Sequence, residues 1–552
     1  MPPHSFASGP KRGSFLKALY RFSYINQAST PSGKETVSDG LPGSAHNPLR
    51  EINLATRSHG ELLLAFVPLL AMVLLQIYNG AHLLSSDLAT PDEPAQFTSG
   101  VLVHDYAFSG FRLAPLPYAR AFYEQYPKVA IGHWPPAFHI LEAAWMSIFP
   151  ITVESLRIFC ALIAGTLTML IFRIVRQNHG VPLALLAASC FLGAPIIQHH
   201  AWLVMSDVAV SLFIFLAVLA FQRFMDKPEG PHVFWFILWS VAAISTKGSA
   251  WALGPFAILA PLFAGYWRML LRWRYLLSGV AIVLLSAPFY LFTWKAHIGY
   301  AENPVKFATS HTTLVERIFQ VTNMFSFAPV PYLILAAFGA IIAWKTCRMA
   351  IAWFSAQALF FLLFPMTGDE RYFLPALSLL ILPITECLRA IALWFSFPIA
   401  VAVVGLLHLH SGVQTPSTAS GFRELVASIP SGKKVLIVSD SSGEGAVVVY
   451  RLVSDIDRRE TVLRGSKFLA QSSWNGNDYQ PRFSDPGQIS QALYDAQVDY
   501  VIIDLASAET PHSKLLQQAL QNSKSGYKMT SQFLIKPIYR PIDKAIVFRR
   551  TS

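Results

Sequence analysis

Long apolar runs broken by short polar gaps fill most of the first 412 residues. An α-helix needs roughly 20 apolar residues to cross a bilayer core about 30 Å thick. Runs of that kind lie near 61–79, 156–175, 181–198, 207–224, 232–247, 250–266, 275–294, 328–344, 349–366, 372–389 and 391–410. The pattern predicts an α-helical polytopic membrane protein with about eleven transmembrane helices. The two runs on either side of Ser245-Thr246-Lys247-Gly248 are the least sharply separated. After about residue 413 the pattern becomes short β-type runs, Val435-Leu436-Ile437-Val438 and Tyr500-Val501-Ile502-Ile503, among polar segments. That is the pattern of a soluble α/β domain.

Composition agrees with a bilayer as solvent: 53% hydrophobic and 14% charged residues leave too much apolar surface for one aqueous core. The formal charge of +11 would fit nucleic acid if it were concentrated in one patch, but Lys and Arg fall in the N-terminal segment, the gaps between runs and the C-terminal domain. Short cytoplasmic loops carry the Lys/Arg excess. With the basic N-terminus inside, Arg173 and Arg176, Arg223 and Lys227, Arg268, Arg272 and Arg274, Lys345 and Arg348, and Arg389 all fall in the cytoplasm. The long loop 80–155, the Ser206-Asp207 turn, the Gly368-Asp369-Glu370-Arg371 turn and the C-terminal domain then face outward. Counting Trp134–Pro150 as a further span would invert every later loop, so this segment is expected to lie at the interface. The expected domains are a basic cytoplasmic tail over 1–55, a transmembrane domain over 56–412 and an extracytoplasmic α/β domain over 413–552, in a cytoplasmic (inner) membrane. Cys160, Cys190, Cys347 and Cys387 sit in or beside apolar runs without metal-ligand spacing and read as packing residues.

Five short motifs are candidates for chemistry, and each also has a plain structural reading. Pro91-Asp92-Glu93-Pro94 sets two carboxylates side by side, costly near a membrane yet also natural at a helix start. Gly132-His133-Trp134-Pro135-Pro136 makes a rigid turn. Asp207 opens a span, where it is also a good cap. Lys247 interrupts an apolar stretch, where snorkelling is the ordinary role. Asp369-Glu370-Arg371-Tyr372 places an Arg among acids, as a local ion pair would. All five project to one face under the topology derived from Lys and Arg. Asp440-Ser441-Ser442-Gly443-Glu444-Gly445 follows a strand and is expected to be a plain turn, since one short Gly-containing turn is weak evidence for a phosphate cradle.

In that order, Asp-Glu after the first run, a Pro-Pro loop, a Ser-Asp turn, a Thr-Lys-Gly break and a Glu-Arg-Tyr turn, the motifs resemble those of the polyprenyl-phosphate-sugar-dependent glycosyltransferases of the GT-C fold. Within that fold they are similar to the bacterial relatives of protein O-mannosyltransferase and lipid A aminoarabinose transferase. Leu156-Arg157 through Arg173-Ile174-Val175-Arg176 also looks like the family's second span. The resemblance covers roughly residues 60–390 and departs where the family often has Lys before the two prolines, since Trp134 stands there with His133 before it. It implies transfer from a polyprenyl-phosphate-sugar donor to an extracytoplasmic hydroxyl on lipid, glycan or protein. Asp92 would be the base, with Glu93 orienting it or the acceptor. Lys247 and Arg371 would meet the departing phosphate, with His133, Asp207, Glu370 and Tyr372 in the binding set. A single base implies inversion. No residue pattern demands a metal or cofactor, and the expected partners are the lipid donor, the acceptor and membrane lipids, with no nucleic acid. A transporter or lipid flippase is the alternative, although charges gathered at one face and the lack of an internal repeat fit it less well. A non-catalytic scaffold would leave the five motifs unexplained.

Overall fold

The computed structural model describes residues 60, 63, 64, 66, 67, 69–71, 74 and 88, and residues 90–551 except 229, 297–312, 365–367, 415–416, 472–478, 508, 523–525 and 539. The expected tail 1–55 and most of the first apolar run lie outside them. The chain is a polytopic helical membrane protein with a C-terminal α/β domain. Each later apolar run is helical, but lengths vary. Among the described residues, five helices are long and apolar enough to cross a bilayer: Val153–His179, Asp207–Asp226, Trp273–Lys295, Trp344–Leu363 and Glu370–Trp394. Leu314–Phe327 and Val330–Ile342 meet at 95°, a sixth if counted as one bent span. Val181–Gly193, Gly230–Ile244, Gly248–Ala264 and Phe397–Ser411 are shorter apolar helices.

Packing between these helices is close. A Cβ on Gly339 would overlap the carbonyl oxygen of Pro383, so Gly339 lets the Val330–Ile342 helix lie directly on the Leu374–Trp394 backbone. By contrast Trp273–Ala296 exposes Leu276, Leu277, Val280, Val283 and Leu284 along its outside. A row of that kind belongs against lipid, where apolar exposure carries no hydrophobic cost.

The long loop is helical in three places: Glu93–Phe108, Pro115–Gln125 and Ala137–Met146. The last of these, at ten residues, is about 15 Å long, too short to span. It buries Phe138, His139, Glu142, Ala143 and Met146.

The C-terminal domain holds strands β1 (Lys434–Val438), β2 (Thr461–Arg464), β3 (Ala470–Gln471), β4 (Gln480–Pro481), β5 (Tyr500–Asp504), β6 (Tyr527–Ile535) and β7 (Asp543–Arg550). The main sheet has the order β2-β1-β5-β7-β6, and β3 pairs with β4 separately. β1 runs parallel to both β2 and β5, with Val435 opposite Tyr500, whereas β7 is antiparallel to β5 and β6. All of β5 and most of β1 are buried. This is why both read in the sequence as continuous apolar runs: parallel strands covered on both faces show no alternation.

The boundary expected at residue 413 does not divide the packing. Phe97, Val101, Phe122, Tyr126, Met146 and Leu156 of the long loop and the following helix share one buried core with Phe422, Leu425, Val435, Ile437, Val447 and Tyr450 of the C-terminal domain. The long loop is the floor of that domain as much as it is part of the membrane unit.

Candidate active site

The site begins at the N-terminus of Glu93–Phe108. Asp92 is the N-cap, and its carbonyl accepts from the amides of Ala95 and Gln96, both at 3.0 Å. Pro94 lies in the first turn, where its missing N–H costs nothing. The Asp92 carboxylate does not cap the helix. It points across to Arg371, whose Nη2 donates to Oδ2 at 3.0 Å. Glu93 follows one residue later, about 100° around the helix, and is turned into the protein. Its Oε1 accepts from the Val204 amide at 3.0 Å and lies 3.5 Å from Arg157 Nε.

Arg371 stands in the short 3₁₀ turn Glu370–Phe373, capped by Asp369, which accepts from the Arg371 amide at 3.2 Å. Asp369 Oδ2 also lies 2.7 Å from Arg371 Nε, so the guanidinium bridges Asp369 and Asp92. Lys247 occupies the break after Gly230–Ile244, with extended backbone (φ −155, ψ 136) before the chain resumes as a 3₁₀ turn. Its Nζ donates to Asp207 Oδ1 at 2.5 Å and sits 4.7 Å from the centre of the Tyr372 ring. The Arg371 guanidinium lies 5.8 Å from the same ring. Two cations thus lie within 6 Å of the Tyr372 ring, a distance at which a ring face attracts a cation. Among the described residues, Asp207 Oδ2 is buried without a partner.

The Pro-Pro loop is fastened to the Lys247 break by the Ala137 amide, which donates to the Ser245 carbonyl at 2.8 Å. Gly132, at φ +74, turns the chain into it. Burial pushes His133 down to about 4, with Asp92 opposing and Arg371 and Lys247 adding to the shift. Burial thus favours the uncharged imidazole at His133, in the field of Asp92, Arg371 and Lys247.

The structure brings together Asp92, His133, Asp207, Lys247, Arg371 and Tyr372. Glu93 adjoins them but its carboxylate is held by Val204 and Arg157, and it is fully buried. Glu370 is exposed and accepts from Ser326 Oγ at 2.8 Å, which draws it toward the neighbouring turn. The local ion pair expected at the Asp369-Glu370-Arg371 turn forms with Asp369, whereas sequence reasoning gave no role to Arg157, although an arginine inside an apolar run is a signal in itself. Among the described residues, no group of three or more His, Cys, Asp and Glu side chains is arranged to hold a metal. At the Asp440 turn, Asp440 Oδ1 itself accepts from the Ser442 and Gly443 amides at 3.0 and 2.8 Å, so the donors that a phosphate would need are occupied.

The family model for dolichyl-phosphate-mannose-protein mannosyltransferase matches residues 133–292, a stretch that contains His133, Asp207 and Lys247. No curated protein sequence matches the chain. Among solved structures, apo ArnT from Cupriavidus metallidurans is similar over 87% of this chain and 97% of its own, at 13% identity and TM-score 0.52. The same protein bound to undecaprenyl phosphate aligns over the same shares at TM-score 0.50 and 13% identity. The archaeal oligosaccharyltransferase AglB from Archaeoglobus fulgidus, in complex with an inhibitory peptide and a dolichol-phosphate, is similar over 88% of this chain and 75% of its own, at 12% identity and TM-score 0.51. At such identities the structural likeness speaks to the fold. Joined to the family match over residues 133–292, it supports placing this chain among the proteins of the GT-C fold.

Proposed function

We propose that the protein transfers a sugar from a polyprenyl monophosphate donor to a hydroxyl acceptor on the outer face of the cytoplasmic membrane, with Asp92 as the base. The observation that carries this reading is the convergence of one partly exposed carboxylate with two cations, Arg371 and Lys247, around the Tyr372 ring. The undecaprenyl phosphate bound to ArnT and the dolichol-phosphate bound to AglB, two proteins of similar fold, support a lipid phosphate as the ligand.

In the proposed reaction the acceptor oxygen forms a bond to the anomeric carbon as its proton passes to Asp92. The bond from that carbon to the phosphate oxygen breaks, and the phosphate leaves with the electron pair. A positioned base of this kind contributes roughly 10²–10⁴-fold. The leaving group's growing charge is met by the planar fork of Arg371 and the ammonium of Lys247. Asp207, with one oxygen on Lys247 and the other without a partner among the described residues, is suited to accept from a sugar or acceptor hydroxyl. One displacement with one base inverts the anomeric centre. Arg371 spans Asp92 and Asp369, so an arriving phosphate can loosen its hold on Asp92 while Asp369 keeps it in place.

Outer-face placement rests on the distribution of Lys and Arg between the spans. A reporter active only in the cytoplasm, fused after Ser552, is expected to stay silent, and strong activity would reverse the orientation. The reaction itself is tested by removing the protein and analysing extracytoplasmic glycans and glycolipids. Loss of one sugar, restored by the parental protein and not by Asp92→Asn, is the expected result. An unchanged set of extracytoplasmic sugars would overturn the reading.

A further inference from the structure

The long loop touches the C-terminal domain through three consecutive residues. The Tyr126 hydroxyl donates to the Asp455 carboxylate, the Pro127 carbonyl accepts from Arg464 Nη1 at 3.1 Å, and Lys128 Nζ donates to the carbonyl and hydroxyl of Ser441 at 3.2 and 2.9 Å. Ser441 opens the helix Ser441–Ser454. One turn later, Gly445 lies so close to the loop that a Cβ there would stand 2.7 Å from Pro94 Cγ and 3.1 Å from Lys128 Cε. Pro94, Lys128 and Gly445 therefore meet at one point, two residues from Asp92. At the far end of the Glu93–Phe108 helix Asp105 is held by Arg458, with Nε 2.7 Å from Oδ2. The C-terminal domain thus grips the Glu93–Phe108 helix at both ends.

We infer that Lys128 is a positioning residue for Asp92 and that, through it, the C-terminal domain is part of the scaffold of the transfer site. The inference rests on the transferase reading above. Lys128 is 4% exposed, and burying an ammonium is expensive unless it is bonded and surrounded by opposite charge. Burial pushes Lys128 down to about 7, with Arg464 adding to the shift and Glu444, Asp92 and Asp440 opposing it. An apolar side chain would fill this joint at lower cost, but only a long donor reaches the two oxygens of Ser441 while its stem packs beside Pro94. Fixing both ends of the helix sets where its N-cap carboxylate points. Displacements of about 1 Å at a reacting group cost on the order of 10²-fold in rate.

The test uses full-length variants at matched expression in a strain lacking the protein. It reads restoration of the sugar lost from that strain, with undecaprenyl phosphate binding and thermal unfolding measured on the purified variants. Lys128→Met is expected to lower restoration at least about tenfold, within the range that misplacement produces, while affinity for undecaprenyl phosphate changes far less. Lys128→Arg, which keeps charge and donors, is expected to recover most of the loss. Gly445→Val keeps the Lys128 residue but presses on both Pro94 and the Lys128 stem, and should give the same split between turnover and binding. Parental restoration by both Lys128→Met and Gly445→Val beside an inactive Asp92→Asn would overturn the inference. So would losses that follow undecaprenyl phosphate binding or unfolding temperature step for step, or that Lys128→Arg fails to reverse. An active Asp92→Asn would instead overturn the base assignment, whatever the Lys128 variants do.

Discussion

Asp92 and Glu93 each pair with an arginine, yet the two pairs sit in different surroundings. At Asp92–Arg371 the side chains keep 27% and 19% exposure, whereas at Glu93–Arg157 they keep 0% and 4%. One helix start points one carboxylate into the open site and its neighbour into the protein. A charge that solvent and ligand can reach is free to exchange partners during a reaction. A sealed one is committed: the cost of leaving its partner unpaired holds the Glu93–Phe108 helix against the 201–206 segment and the Val153–His179 helix. Two adjacent carboxylates are thus divided between an open site and a sealed one by their burial and their partners.

The sealed pair should matter most for stability. Arg157→Met takes the cation away from a buried carboxylate and is expected to cost about 3–5 kcal/mol, read as a large fall in the thermal unfolding temperature of the purified protein. If Arg157→Met melts like the parent, the sealed pair is not structural and the contrast with Asp92 disappears. Asp92→Asn should do the reverse. Transfer falls by at least about 10²-fold, while unfolding and donor binding change little, because the missing interaction belongs mainly to the transition state. Near-normal transfer by the folded variant would remove Asp92 as the base and turn attention to Glu93 or Asp207.

Neutral replacement of the cations sharpens the open side of the comparison. Lys247→Met and Arg371→Met each remove charge-assisted hydrogen bonds worth about 1.5–3 kcal/mol, so undecaprenyl phosphate binding should weaken roughly tenfold or more in each. Binding like the parent in both would cancel their assignment. Acidification should act through His133. The folded-state value of His133, about 4, lies below its ordinary 6.5, so on acidification the unfolded chain takes up the proton first. The folded state should lose stability as pH falls from about 6.5 to 4, and His133→Gln should lose less across that window. Identical unfolding temperatures for parent and variant throughout would show that His133 is not held neutral by burial.

Much of this organisation is written in local pattern. Run lengths announce the bilayer because helix rise and membrane thickness are fixed, and the unbroken apolar runs Val435–Val438 and Tyr500–Ile503 announce buried strands. The motifs stood out because charges and prolines are costly within apolar stretches. Local pattern was enough to mark a polytopic helical membrane protein with an α/β domain and a small set of polar residues in need of a role. Which of those residues meet depends on how the helices pack. Asp92 and Arg371 are 279 positions apart and joined at 3.0 Å; Glu93 faces inward; Glu370 turns to Ser326. The boundary at 413, plain in composition, vanishes in packing because the long loop and the C-terminal domain bury a single core. Lys128, an ordinary lysine in a polar loop, carries no local signal at all. Its significance comes from Ser441, Gly445 and Pro94, and contacts between residues so distant in sequence depend on the relative placement of whole helices, which no window along the chain encodes.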